Sequence, residues 1–328
     1  MKVAAVIPQW NRGYLLRSLL ENLREQTRPL DEIIVVDNGS TDDSVAVAEG
    51  GEARVVRLGS NLGFAAAVNR GVEATDAEWV AILNNDVTLD PAWLATLLQG
   101  VGQTSSEAWF ATGKTLRAAD PTLIDGTFDE ISRGACACRC GAGKPDGPEW
   151  NRPRTIRMAP MTAALVRRSL FAEVGPLDES FGSYLEDVDF GLRCALAGRG
   201  GLYLPGAVAH HQGSATSGKW NPDTVRLLAR NQILLAVKHF GGQSHLPIVA
   251  GQVLWGLVAL RHGRGWAYLQ GKWSGLRAAS QLGFKEFPAQ EAVKVEKIVG
   301  ESERQILEIQ RQTGFDTYWR AYFWLFAR

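Results

Sequence analysis

The run ILNNDV (residues 82–87) sets two amides and one carboxylate, Asn84, Asn85 and Asp86, at the end of an apolar stretch. Asn and Asp are good turn residues, and a turn is one account of them. A lone carboxylate in this place can also hold a metal ion against the phosphates of a ligand, and the rest of the sequence favours that reading. A second acidic group lies in LEDVDFGLR (185–193), where Glu186 and Asp187 fall at or near the start of a helical pattern and Asp189, two residues further on, points elsewhere on the helix. Carboxylates near a helix N-terminus stabilise the helix dipole by roughly 0.3–1 kcal/mol, so Glu186 and Asp187 also have a structural use. Their spacing lacks the glycine and glutamate of a calcium loop. His210 and His211 close a strand pattern. Neighbours on a strand face opposite ways, so only one of the two turns toward a given site.

Apolar periodicity predicts the frame that positions these groups. VAAVIP (3–8), EIIVVDNGS (32–40), RVVRLG (54–59) and WVAILNND (79–86) read as strands. Between them lie helical patterns at 14–23, with Leu15, Leu16, Leu19, Leu20 and Leu23 on one face, at 42–49 and at 64–74. Pro91 opens a further helix to about Gly100. Repeated strand–helix units imply an α/β fold with a mainly parallel sheet covered on both faces. Ligands bind such sheets at the carboxyl ends of the strands. Here those ends are Pro8-Gln9-Trp10-Asn11, Asp37-Asn38-Gly39, Asn61-Leu62-Gly63 and Asn84-Asn85-Asp86, all of them polar. MTAALVRR (161–168) reads as a strand, 183–199 as a helix, and GLYLPG with AVAHHQGS as a strand and a strand end. Beyond Asn221 the pattern is helical.

Several classes are excluded. No G-x-G-x-x-G follows the first strand, and in GAGKPDG (141–147) Pro145 stands where a P-loop has Ser or Thr. The Gly-, Pro- and Cys-rich segment 134–153 reads as a long loop. Its Cys136, Cys138 and Cys140 lack a fourth ligand and a paired C-x-x-C, so reduced loop thiols are expected rather than a metal site. Four cysteines in all suggest no disulfide framework, and MKVAAVIPQWNRGY is too soon interrupted to be a signal peptide. A cytoplasmic setting is the expectation.

Seven motifs in one order carry a resemblance: VIPQWNR (6–12), VVDNGSTD (35–42), NLGFAAAVNRG (61–71), LNNDV (83–87), LEDVDFGLR (185–193), HQGSAT (211–216) and RNQILLAVKHF (230–240). Together they resemble the family 2 glycosyltransferases, in particular the rhamnosyltransferase-like branch. The resemblance implies a GT-A fold, a nucleotide-diphosphate sugar donor, a divalent Mn2+ or Mg2+ ion and inversion at the anomeric carbon. It implies a catalytic domain over 1–220, with a donor half at 1–115 and an acceptor half at 116–220, followed by a helical region at 221–328. The family's Asp-any-Asp motif has Asn84 in its first place, which leaves Asp86 as the metal-binding carboxylate. By the same resemblance Asp37 and Asn38 recognise the base or ribose, and Pro8, Gln9, Trp10 and Arg12 form the base pocket. Trp10 has a plain core role as its alternative, and Asp37 an Asx turn. Asn61 and Gly63 let the chain approach ribose or phosphate, while Asn84 and Asn85 bind the nucleotide without adding charge. Asp187 matches the catalytic base and Glu186 the residue that orients the acceptor or Asp187. His211 matches a histidine that joins the metal or contacts the diphosphate, with His210 as its rival. The donor it suggests is dTDP-L-rhamnose, with a galactofuranosyl or other hexosyl donor, or a catalytically silent binding scaffold, as the alternatives. The acceptor it suggests is a glycolipid or surface polysaccharide.

Charge divides the chain. The sequence has 35 basic and 35 acidic residues, yet Thr224 to Lys285 holds eight Lys or Arg and no acid. LPIVAGQVLWGLVAL (246–260) is shorter than the roughly 20 residues a spanning helix needs. With Arg261, Arg264, Trp266, Tyr268, Lys272, Trp273 and Arg277 beyond it, the segment 246–285 suits an anionic membrane surface at the inner face. Packing against the body is the equal alternative. Nucleic acid is not an expected partner, because the basic window is apolar rather than a polar stripe. The aromatic YWRAYFWLFAR at the end suits an interface or a homodimer contact.

Overall fold

The computed structural model describes residues 1–103, 108–213, 220–282 and 288–326. Ser214 to Thr216 of the HQGSAT motif, residues 283–285 of the basic segment and the last two residues lie outside these. The chain divides into two compact units, Met1–Phe128 with Gly141–Gly213, and Asp129–Cys140 with Ser214–Arg328.

The first unit begins with β1 (Val3–Gln9), α1 (Gly13–Arg24), β2 (Glu32–Asp37), α2 (Ser44–Gly50), β3 (Arg54–Arg57), α3 (Phe64–Glu73), β4 (Trp79–Leu83), β5 (Val87–Leu89), α4 (Trp93–Gln103), β6 (Phe110–Arg117) and β7 (Asp120–Gly126). The second unit takes β8 (Asp129–Ile131) and β9 (Ala137–Arg139). The first resumes with β10 (Arg154–Ile156), β11 (Ala163–Arg167), α5 (Ser169–Glu173), α6 (Glu186–Leu196) and β12 (Gly201–His211). Ten strands of the described residues form one sheet, ordered β10-β12-β6-β11-β4-β1-β2-β3, with β5 on β12 and β7 on β6. β3, β2, β1 and β4 are parallel, and antiparallel pairing enters at β11. This is the helix-flanked α/β sheet that the strand–helix alternation predicts.

Local sequence explains the elements. Val3 to Ile7 are all fully buried, as a strand covered on both faces must be. α1 buries the five leucines that its periodicity selects. α2 starts at Ser44 rather than at 42, because Asp42 accepts from the backbone N–H of both Gly13 (2.9 Å) and Ser44 (3.0 Å) and so stays outside the helix. Pro91 lies in a turn closed by Trp93 N–H donating to Asp90 O (2.9 Å), and α4 begins after it. GLYLPG and AVAHH are one strand. Its register against β6 shifts between Tyr203 and Val208, around Pro205, a residue that cannot donate to a ladder.

The second unit adds α7 (Pro222–His239), α8 (His245–Arg261), α9 (Gly265–Leu282), α10 (Ala289–Thr313) and α11 (Thr317–Phe326) to the β8–β9 hairpin. The expected long loop at 134–153 is thereby corrected. Its first part carries β9 and packs in the helical unit, where Ile131 N–H donates to Ser302 Oγ of α10 (2.6 Å). Its remainder belongs to the sheet unit. Cys136, Cys138 and Cys140 are reduced but fully buried rather than loop-exposed, and burial pushes the Cys136 thiol up. Among the described residues no helix is long and apolar enough to cross a membrane.

Candidate active site

At the carboxyl end of the parallel strands, Gln9 ties three loops together. Its buried amide Oε1 accepts from Asn85 Nδ2 (2.7 Å), and its Nε2 donates to Ser44 Oγ (2.8 Å) and Asn11 O (2.5 Å). Asn38 does the same one strand over. Its N–H donates to Gln9 O (2.7 Å), its Nδ2 to Asn61 Oδ1 and Gly63 O (both 3.1 Å), and its Oδ1 accepts from Leu62 N–H (2.8 Å). Asp37 accepts from Ser40 N–H, three residues on, through Oδ1 (3.1 Å), which closes the loop at the strand end. The structure therefore gives Gln9, Asp37, Asn38 and Asn61 partners within the protein itself, as the frame of the strand-end loops. Pro8 pairs with Val36 in the β1–β2 ladder. Trp10 is 52% exposed and is no part of the core. Asn11 (φ 56°) and Arg12 (φ 61°) are left-handed and lead into α1. Asn84 donates its N–H to Thr162 O (2.9 Å).

Gly63 answers a specific spatial demand. Its φ is 91°, and an added Cβ would lie 2.8 Å from Gly182 O. Ala65 N–H donates to that same carbonyl (3.0 Å) and Phe64 N–H to Ser183 Oγ (3.2 Å). The close neighbour that requires glycine is thus the 182–185 loop, which leads into α6. Tyr184 (φ 72°) and Leu185 (φ 68°) close that loop in a left-handed pair, a conformation that stores strain. The three carboxylates that follow part company. Glu186 is buried, and Asp189 pairs with Arg193 one turn on (3.0 and 2.9 Å). Asp187 is half-buried and lines a crevice with Ala159, Met161 and Phe190.

Across the same end of the sheet, β12 pairs with β5 so that His211 lies opposite Val87, next to Asp86. His211 Nε2 stands 3.1 Å from Asp86 Oδ1, and its Nδ1 stands 2.8 Å from Asp125 Oδ2. His210 faces the other way, 3.3 Å from Asp90. Burial alone would depress the His211 pKa, but hydrogen bonds to Asp125 and Asp86 outweigh it and raise it to about 9. Asp125 is absent from the sequence expectations, as are Ser44 and the Gly182–Ser183 contact. Among the described residues no three His, Cys, Asp or Glu side chains form a ready metal cage. Asp86 Oδ1 and Asp125 Oδ2 thus flank the two nitrogens of the His211 imidazole.

The family model described as glycosyl transferase family 2 matches residues 4–110, which run from β1 to the start of β6. The chain is 30% identical to the N-acetylglucosaminyl-diphospho-decaprenol L-rhamnosyltransferase of Mycobacterium tuberculosis, over 71% of this chain and 83% of that one. The chain belongs to glycosyltransferase family 2. Among solved structures, this family 2 glycosyltransferase is similar in fold to a mannosyltransferase of Pyrobaculum calidifontis in complex with GDP-Man and Mn2+. The TM-score is 0.54 at 16% identity, over 100% of this chain and 88% of that one. It is also similar to GalNAc-T7 with UDP, GalNAc and Mn2+, with a TM-score of 0.63 at 13% identity, over 96% of this chain and 58% of that one. The glycosyltransferase fold is GT-A.

Proposed function

We propose that this glycosyltransferase moves a sugar from a nucleotide-diphosphate donor to a hydroxyl of a glycolipid or surface polysaccharide, with inversion at the anomeric carbon. The observation that carries the reading is the chain of contacts Asp86–His211–Asp125 at the carboxyl end of the parallel strands. Asp86 Oδ1 and His211 Nε2 would hold a Mn2+ or Mg2+ ion, and so few protein ligands leave room for donor phosphate oxygens. When bound, the ion supplies positive charge against the departing diphosphate. Asp125 fixes the imidazole so that Nε2 is the atom presented. The exposed Trp10, with Pro8, Arg12 and the second carboxylate oxygen of Asp37, meets the base and ribose. The Gln9–Asn85 and Asn38–Asn61–Gly63 contacts keep Asn84 and the strand-end loops in place around the nucleotide.

Asp187 takes the proton of the acceptor hydroxyl as that oxygen attacks the anomeric carbon. The bond from that carbon to the diphosphate oxygen breaks on the opposite side, and its electron pair leaves with the diphosphate. General-base help of this kind is worth roughly 10²–10⁴ in rate. Buried Glu186, one residue before, positions Asp187 or the acceptor. The donor we favour is dTDP-L-rhamnose, since a relative at 30% identity is named for L-rhamnose and for a decaprenol-linked diphosphate sugar.

Calorimetry tests the reading, with dTDP-rhamnose, UDP-galactofuranose, UDP-glucose and GDP-mannose titrated into wild type and Asp86→Ala, with and without Mn2+ or Mg2+. Metal-dependent binding of dTDP-rhamnose that the variant loses is the expected result. Preference for another donor would change the sugar, and binding of none would leave Asp86 a turn residue and favour a catalytically silent scaffold.

A further inference from the structure

Soluble helices turn apolar residues inward. α8 and α9 do the reverse. α8 buries Pro247, Gly251, Gln252 and Ala259, and sends Leu246, Val249, Val253, Leu257 and Leu260 outward. These five recur at helical spacing and fall within one stripe. α9 buries Ala267, Tyr268 and Ala279, with Gly271 and Gly275 against the backbone of α7, and sends out Trp266, Leu269, Trp273 and Leu276. The nine outward side chains are between 55% exposed (Leu276) and 73% exposed (Trp266).

The two helices form a hairpin about a turn at Gly263, with Gly265 against Leu260, Tyr268 against Gly256 and Lys272 donating to Gln252. Counted from that turn, Leu260 stands level with Trp266, Leu257 with Leu269 and Val253 with Trp273. Each arm therefore carries an apolar row of matching length. An exposed apolar row of this kind along a helix face needs a cover.

Charge and residue type select the cover. Neither helix contains an Asp or Glu, whereas Arg261 and Arg277 are exposed beside the rows, and the Arg277 guanidinium lies 5.1 Å from the centre of the Trp273 ring. A protein partner is equally served by neutral or acidic rims. Anionic headgroups above an acyl layer require arginines at the rim, tryptophans at the boundary and aliphatic side chains below, and that set is present. We propose that the α8–α9 hairpin lies in the surface of an anionic lipid bilayer, with Leu246, Val253, Leu257, Trp266 and Trp273 inserted and Arg261 and Arg277 on the headgroups.

Flotation of the full chain with vesicles tests this. The protein should float with vesicles of phosphatidylcholine and phosphatidylglycerol, less with phosphatidylcholine alone, and less again as salt rises. The double variant Leu257→Glu/Trp273→Glu should lose roughly tenfold or more of this binding, and Arg261→Glu/Arg277→Glu should lose its salt-sensitive part. Both pairs are exposed, so circular dichroism and donor calorimetry should match wild type, which separates this surface from the donor site. A wild type that floats with neither vesicle, or variants that float equally well, would overturn the proposal. So would a lipid-free dimer that Leu257→Glu/Trp273→Glu converts to monomer, since a second copy would then be the cover.

Discussion

In the sheet unit, β1 and β4 bury Val3, Ala5, Ile7, Ala81 and Leu83, and polar Gln9, Asn85 and Asp86 follow at or just beyond their ends. In the helical unit, two helices invert the arrangement: α8 and α9 bury Gln252, Tyr268 and a mostly enclosed Lys272, and turn Leu257 and Trp273 outward. The first pattern suits a protein that meets water and a polar ligand. The second suits one whose outer face meets an apolar phase, because polar groups are then best satisfied against each other inside. The same physical rule, that unsatisfied polar groups are costly away from water, produces both arrangements.

If polar chemistry is confined to the sheet unit, the largest effects of substitution there are on activity. Asp86→Ala should reduce transfer by about 10³-fold or more, comparable to losing a main electrostatic contact to the leaving group. A radiolabelled transfer assay measures this, and a variant near wild type would remove Asp86 from the chemistry. Asp187→Asn should lower kcat by roughly 10²–10⁴ while leaving the calorimetric donor affinity intact. A parallel loss of donor affinity would make Asp187 a donor contact instead.

In the helical unit the corresponding loss is one of stability. Glu303 accepts from Arg133 N–H (2.8 Å), from the Arg133 guanidinium (2.8 and 2.5 Å) and from Tyr322 OH (2.8 Å). Glu303→Leu takes the acceptor from the Arg133 N–H and the buried Tyr322 OH, while water takes up the exposed guanidinium, and should cost about 2 kcal/mol in urea unfolding, with donor affinity unchanged. A matching drop in donor affinity would show that the two units are energetically one. Smaller again is Asp125→Ala, expected to weaken Mn2+ affinity about 10–100-fold with little change in stability, and Asp125→Asn should restore part of it. Equal metal affinity in all three proteins would leave Asp125 a packing residue.

The strand-end residues were legible in the sequence because each closes an apolar run, and the run itself locates the edge of the sheet. Asp125 was not. It lies on an irregularly paired edge strand, 86 residues from His211, and no local pattern marks a partner so distant. The same holds for Gly63, whose glycine was readable as close approach while its neighbour, the 182–185 loop, was not. The contact from Phe64 to Ser183 spans 119 residues. α8 was legible as an apolar helix, yet residues apolar on every side give periodicity nothing to orient, so its outward face is set only by the helices packed against it. The cysteine segment read as loop because β8 and β9 have three residues each, too few to show alternation.

The smallest effect expected is a pH slope from the interior of the helical unit. Lys272 donates to Gln232 Oε1 (2.8 Å) and to Gln252, and Gln252 Nε2 in turn donates to Gly134 O (2.9 Å) and Cys136 Sγ (3.4 Å). The Tyr268 ring lies 5.0 Å away. Burial depresses the Lys272 pKa from 10.5 to about 7, against a smaller opposing pull from Cys136. Between those values the unfolded chain carries a proton on this lysine that the folded chain lacks, so the lysine's contribution to stability rises with pH, by at most about 1.4 kcal/mol per pH unit. Below about 7 the lysine is charged in both states and the cost of burying it is constant. Above the ordinary cysteine and tyrosine range the sign reverses, because burial raises Cys136, Tyr268 and Tyr318 and the unfolded chain loses those protons first. The usable window is therefore from about pH 7 to 9. His211, whose folded pKa is raised to about 9, gives the opposite slope over the same window, so urea midpoints should stay nearly level for wild type and fall for Lys272→Met. Identical slopes in the two proteins would mean that Lys272 keeps its proton inside the fold, and that the interior of this unit is wetter than its packing implies.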